Sequence, residues 1–217
     1  TGKDAPTSLA DVWAPELKGR VGLISEMRDS VGLTLLSQGI DITSEESLTE
    51  DAFNAAVEFI AAQVSSGQIF NIKGNSYGED LTNGNIIVAL AWSGDTTILN
   101  AEVGEDRFGF VVPDTGSTIS SDSFVVPMGS AHKKNAEALI NYYYDPVNAA
   151  ELAAYVNYVT PVVGAKEEML KTDPELAENP LIFPSEEFLA NVYAFRALTG
   201  QEEQRFATAW QNVLLGA

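Results

Sequence analysis

Carboxylates and aromatic rings stand in this sequence where together they could hold a cation. Glu26 and Asp29 lie in Ser25-Glu-Met-Arg-Asp-Ser30, directly after the apolar run from Arg20 to Ile24. Their spacing puts both carboxylates on one side of a helix's first turn. Trp92 leaves a second apolar run, Asn85-Ile-Ile-Val-Ala-Leu-Ala-Trp92, and Ser93-Gly94-Asp95 follows it. An aromatic face and a carboxylate at the exit of a strand lie where open α/β sheets hold ligands. Asp122 stands alone before Ser-Phe-Val-Val-Pro127, and Tyr158 sits in Asn157-Tyr-Val-Thr-Pro161. Carboxylates receive ammonium groups, and aromatic faces receive methylenes and cations. Plainer roles are open to the same residues: acidic groups in a first turn answer the helix dipole, Asp95 can cap a helix, and Trp92 can close a core. Two other chemistries also fit the residue types. A pair such as Glu26 and Asp122 could be the acid and base of a carboxylate-dependent hydrolase acting on glycosides, and carboxylates alone could hold a Ca²⁺ ion.

Charge narrows the partners. With 12 basic against 31 acidic residues in 217, the chain carries a formal charge of −19, which repels nucleic acid and attracts cations, besides keeping a protein soluble. There is no cysteine, so disulfides and thiolate metal sites are excluded. The single histidine, His132, lies in the polar connection Gly-Ser-Ala-His-Lys-Lys and reads as a surface residue; a multi-histidine metal site is ruled out. No cofactor is implied. No stretch reads as a signal peptide or a membrane helix.

The elements that must position these residues alternate. Strands are expected at Arg20 to Ile24, at Ile86 to Ala91 with both faces buried, at Phe108 to Pro113, and leading from Asp122 to Pro127. A short helical turn carries Leu9, Val12 and Trp13, and a helix with Val31, Leu33, Leu35 and Leu36 follows Ser25 and ends at Gly39. Thr49 caps a helix bearing Phe53, Ala56, Val57, Ile60 and Val64. Residues 95–103 continue in helical pattern, as does the chain from Asn135 with Ala138, Leu139, Tyr142 and Tyr143 on one face. An Asp145-Pro146 restart runs to about Tyr155, Ser185 caps another start, and a last helix bears Phe206, Trp210, Val213 and Leu214. Gln68 to Leu81, with Phe70 and Tyr77 embedded, reads as a loop or extended segment. The alternation makes this an α/β protein without repeats or a Pro/Gly linker.

Taken in order, Trp13-Ala-Pro-Glu-Leu-Lys-Gly19, Glu26-Met-Arg-Asp29, Gly84 to Trp92, Asp122 to Pro127, Asn141 to Pro146 and Tyr158 to Pro161 resemble the spermidine/putrescine-binding proteins of bacterial ABC transporters. The resemblance implies a type II periplasmic-binding-protein fold, two-lobed, extracytoplasmic (periplasmic or anchored at the cell surface), not an enzyme, delivering its solute to a membrane permease. It covers the later part of that family's chain, with the first lobe largely missing. Residues 1–121 would form the second-lobe core, 122–166 the crossing strand and helices belonging with the first lobe, and 167–217 a helical return. In an acidic, aromatic-lined interlobe cleft, Glu26 and Asp29 match an acidic pair that receives one amine end, Trp92 an aromatic lining, Asp122 a second amine-binding carboxylate and Tyr158 an aromatic at the other lobe's edge. Ser120 stands where the family often has an aromatic, opening one wall of the methylene slot, and Asp95 is an extra carboxylate. A metal ion or a sugar is the alternative cargo for the same fold. A chain lacking its first lobe would also leave Leu139, Ile140, Tyr142 and Tyr143 partly uncovered, favouring self-association.

Overall fold

The computed structural model describes residues 5–216. In chain order it contains α1 (Leu9–Val12), a 3₁₀ turn (Pro15–Leu17), β1 (Val21–Ile24), α2 (Met27–Ser37), α3 (Glu50–Ser65), β2 (Ile69–Lys73), α4 (Tyr77–Thr82), β3 (Val88–Ala89), α5 (Ser93–Val103) and β4 (Ser117–Thr118). Then follow α6 (Lys133–Tyr143), α7 (Pro146–Val156), α8 (Ala165–Thr172), α9 (Pro174–Ala177), α10 (Glu186–Leu189), β5 (Val192–Tyr193) and α11 (Gly200–Leu214). The chain divides into two compact units. One takes the residues up to Trp92, Leu99–Ser120 and those from Asn191 onward; the other takes Ser93–Ile98 and Ser121–Ala190.

The first unit is built on a parallel sheet of order β2-β1-β3. Every residue of β1 is buried, as a central strand covered on both faces requires. The amphipathic face predicted for α3 packs Phe53, Ala56, Val57 and Ile60 into the core, under a Thr49 cap whose hydroxyl accepts from the Ala52 N–H. Phe53 stacks on Phe206 of α11 with ring centroids 3.8 Å apart. The Trp210 indole donates to the Ser25 carbonyl at 2.7 Å, tying α11 to the end of β1. A second parallel pair, β4 with β5, places Ser117 opposite Val192 and Thr118 opposite Tyr193.

The second unit is helical apart from its connections. Asp145 caps α7 by accepting from the Val147 N–H, with Pro146 at the first helical position, as the restart predicted. Its core is Ala149, Ala150, Ala153, Ala165, Met169, Ala177 and Ile182. Met169, Ala177 and Ile182 pack in this core, and the chain rejoins the first unit at Asn191.

Other expectations are corrected. Gln68 to Leu81 contains β2 and α4. The polar look of β2 comes from Asn71 and Lys73, whose side chains bond to Asp80 of α4 at 2.7 and 2.6 Å and are not lost to solvent. The predicted strand at 108–113 pairs with nothing among the described residues. There the Asn100 amide takes the place of a partner strand, accepting from the Phe108 N–H at 2.8 Å and donating to its carbonyl at 2.9 Å. Of the run from Ile86 to Ala91, Val88–Ala89 alone joins the sheet, half-buried, with Ile86 and Leu90 as its buried members. Asp122 to Pro127 is irregular, with Phe124 and Val125 exposed; ladder pairing occurs earlier, at Ser117 and Thr118.

Candidate functional site

Since β1, β2 and β3 run parallel, Glu26 after β1 and Trp92 after β3 emerge at one edge of the sheet, its carboxyl edge. The turn between β1 and α2 is closed by the Ser30 hydroxyl, which donates to the Ile24 carbonyl. Glu26 occupies the N-cap position of α2, but its side chain does not cap; it stands exposed and accepts from the Ser25 hydroxyl at 2.8 Å. Asp29, in the first turn, is half-buried and accepts from the Thr118 hydroxyl at 3.1 Å. The Trp92 side chain lies near enough to favour the ionised Asp29 carboxylate.

Burial pushes the Asp29 carboxyl above the usual carboxylate range, and the nearby Glu26 charge pushes the same way. The bond from Thr118, the neighbouring Trp92 side chain and the charge of Arg28 pull it down without cancelling the burial. Arg28, the cation inside the motif, is engaged elsewhere: its guanidinium donates to both oxygens of Glu203 on α11 and lies 5.9 Å from the Phe195 ring centroid. The hydrogen-bond donor at Asp29 is therefore a neutral one. A carboxyl held high by burial is a mark of a general acid, and equally of a carboxylate that a bound cation would hold ionised.

Trp92 takes the core role among its two readings. It packs against the core while staying partly exposed, its backbone N–H donates to the Tyr77 hydroxyl at 3.1 Å, and the two rings meet at 54° with centroids 5.9 Å apart. Tyr77, which its polar surroundings disguise in the sequence, is fully buried and holds Trp92 from behind.

In the second unit, Asp95 and Tyr158 are brought to each other. The Tyr158 hydroxyl donates to Asp95 Oδ1 at 2.9 Å, and burial together with this bond raises the phenol pKa strongly. Gly94 makes the approach possible: a Cβ there would lie 2.7 Å from the Val156 carbonyl oxygen. Asn157, left-handed at φ 58°, ends α7 and turns the chain into Tyr158. Asp95 is thus held by a tyrosine. Asp122 and Ser120 are exposed, each in its own unit, and His132 is exposed at the start of α6. Among the described residues no group of three or more His, Cys, Asp or Glu side chains converges to hold a metal ion. The sequence reading missed Thr118, which lies in a run of serines and threonines where nothing in the spacing singles one out.

Residues 1–184 match the family model described as bacterial extracellular solute-binding protein. The chain is 25% identical over 186 residues to the spermidine/putrescine-binding periplasmic protein 1 of Haemophilus influenzae, covering 85% of this chain and 49% of that protein. It is 27% identical over 186 residues to the Escherichia coli spermidine/putrescine-binding periplasmic protein, covering 85% and 50%. The chain spans about half the length of these curated relatives. Its fold is similar to the Streptococcus pneumoniae spermidine/putrescine ABC transporter substrate-binding protein PotD, crystallised with calcium and HEPES, at a TM-score of 0.76 and 22% identity over 98% of this chain and 63% of that one.

Proposed function

This chain belongs to the bacterial extracellular solute-binding proteins, and from that premise we propose that it binds a linear di- or polyamine of the putrescine and spermidine class for an ABC importer. That family is one of binding proteins and not of enzymes, and it works outside the cytoplasm. The observation that carries the ligand reading is Asp29, a half-buried carboxylate with a neutral donor beside the Trp92 ring, while the neighbouring Arg28 is bound to Glu203. An ammonium group arriving there gains a charge-assisted hydrogen bond and an aromatic face, and Glu26 adds a second negative charge at the mouth. The names of the relatives agree with this chemistry. Asp122 is proposed, from the resemblance, as a carboxylate for a further amine; Tyr158, paired with Asp95, presents its ring and not a free hydroxyl. The membrane partner is proposed to be the permease of the importer.

Calorimetric titration with putrescine, spermidine, Ca²⁺ and neutral sugars tests the assignment. An amine is expected to bind, and D29N to weaken it by about 1.5–3 kcal/mol, roughly tenfold to a hundredfold. Because burial holds the Asp29 carboxyl high and an ammonium ligand requires it ionised, affinity should fall with acidification sooner than at an ordinary carboxylate. Binding of a sugar or Ca²⁺ alone, or unchanged amine affinity in D29N, defeats the proposal.

A further inference from the structure

The side chain of Thr118 is fixed at both of its branches. On one side its γ-methyl is seated on α2 where Gly32 leaves room: a Cβ at Gly32 would lie 3.0 Å from Thr118 Cγ2 and 3.4 Å from the Phe195 ring. On the other side its hydroxyl donates to Asp29 Oδ1 at 3.1 Å. Gly32 follows Asp29 by one helical turn, so one face of α2 receives both branches. The backbone around Thr118 is held as well, since the Ser117 N–H donates to the Asn191 carbonyl at 3.1 Å and the Ile119 N–H to the Tyr193 carbonyl at 3.0 Å. With the methyl seated, the stiff χ1 of a β-branched residue leaves the hydroxyl a single direction.

We propose that Thr118 is a positioning residue for the ligand: its bond to Oδ1 holds Asp29 in one orientation, so that the carboxylate is presented to a single ammonium group. This rests on the polyamine reading above. The arrangement sets the mouth of the site before the ligand arrives, so that ordering Asp29 is not charged against binding. It also makes Asp29 report on Thr118. The charged groups that act on Asp29 are Glu26 and Arg28 of α2, the latter bound by Glu203 of α11. Neither ribbon strand adds a charge: β4 offers Ser117 and Thr118, and β5 offers Val192 and Tyr193, whose ring packs on Gly116. Removing the Thr118 donor removes an interaction that favours the ionised form, and the Asp29 carboxyl must then titrate higher.

The substitutions T118V, which keeps the methyl seat and loses the donor, and T118S, which keeps the donor, separate bonding from packing. Carboxyl-carbon NMR of Asp29 in the ligand-free protein should show the titration midpoint moved up in T118V and restored in T118S. Calorimetry with putrescine as the probe should show T118V weaker by about twofold to tenfold and T118S restored. An unmoved midpoint in T118V overturns the proposal even if putrescine binds. A wild-type protein that ignores putrescine and spermidine, yet shows the T118V shift, overturns the polyamine reading and supports the Thr118–Asp29 lock on its own.

Discussion

In the first unit the buried positions are large: Leu23, Leu35, Phe53, Ile60, Tyr77 and Phe206 are all essentially inaccessible. In the second they are mostly alanines with Met169 and Ile182, while Leu139, Tyr142 and Tyr155 are 70%, 64% and 82% exposed. A fully buried Leu or Phe side chain contributes about 1.5–3 kcal/mol and a single methyl-sized group about 0.8. Stability in the first unit therefore comes from within. The second unit packs its small side chains and presents its large ones, which is the composition of a surface that gains by being covered. The first unit also settles its buried charges internally. Asp80 accepts from Asn71, Lys73 and Asn85, and these bonds lower its pKa to about 2. Arg196 and Glu202 hold each other at 2.6 Å.

The contrast is most severely tested at the Phe53–Phe206 stack. F53A should destabilise the first unit by about 3–5 kcal/mol, read as a lowered denaturation midpoint. A much smaller loss would mean that the unit does not depend on its large side chains.

Next in size is D80N, which removes the acceptor that Lys73 and the two asparagines share and should cost about 1–3 kcal/mol at neutral pH. The sign of its pH dependence follows from the depressed pKa. Asp80 stabilises the fold at pH values above the ordinary carboxylate range, and that contribution disappears as pH falls through about 2. Wild type should lose stability across that acid window and D80N should lose less of it; parallel acid-unfolding curves for the two proteins would contradict this.

The smallest effect on stability is expected on the outer face of α6. Replacing Leu139 and Tyr142 by glutamine should change the unfolding free energy by less than about 0.5 kcal/mol per site. It should nonetheless reduce the self-association that we expect this face to support, as measured by sedimentation velocity. A wild-type chain that stays monomeric at high concentration would show that the exposed face is not adhesive.

How far the sequence discloses this architecture depends on where each residue finds its partner. The β1–α2 turn with Glu26 and Asp29, the Thr49-capped α3 and the Asp145-Pro146 restart are all specified within a few residues, by period and capping, and the structure contains them. The α/β class and the resemblance to solute-binding proteins were readable too, because motif order survives where single motifs are weak. What escaped is specified at long range. Asn71 and Lys73 look solvent-facing until Asp80 is seen to claim them, and Phe108 looks like a strand residue until Asn100 is seen to satisfy its backbone. Ala177 and Ile182 carry no mark of which core they join. At the site, acidic residues and Trp92 announce themselves by type, whereas Thr118 and Tyr77 act through contacts that no local pattern encodes.

The bond from the Trp210 indole to the Ser25 carbonyl has a consequence for the time order of folding. Phe206, Trp210 and the strand around Val192 belong to the first unit, yet the ribosome makes them after the whole of the second. Until they emerge, Phe53 lacks its stacking partner and β4 has no strand beside it. Residues 121–190 are therefore made while the principal core is still unfinished. Domains generally fold as units during synthesis, and this one cannot do so until its last helix has been made.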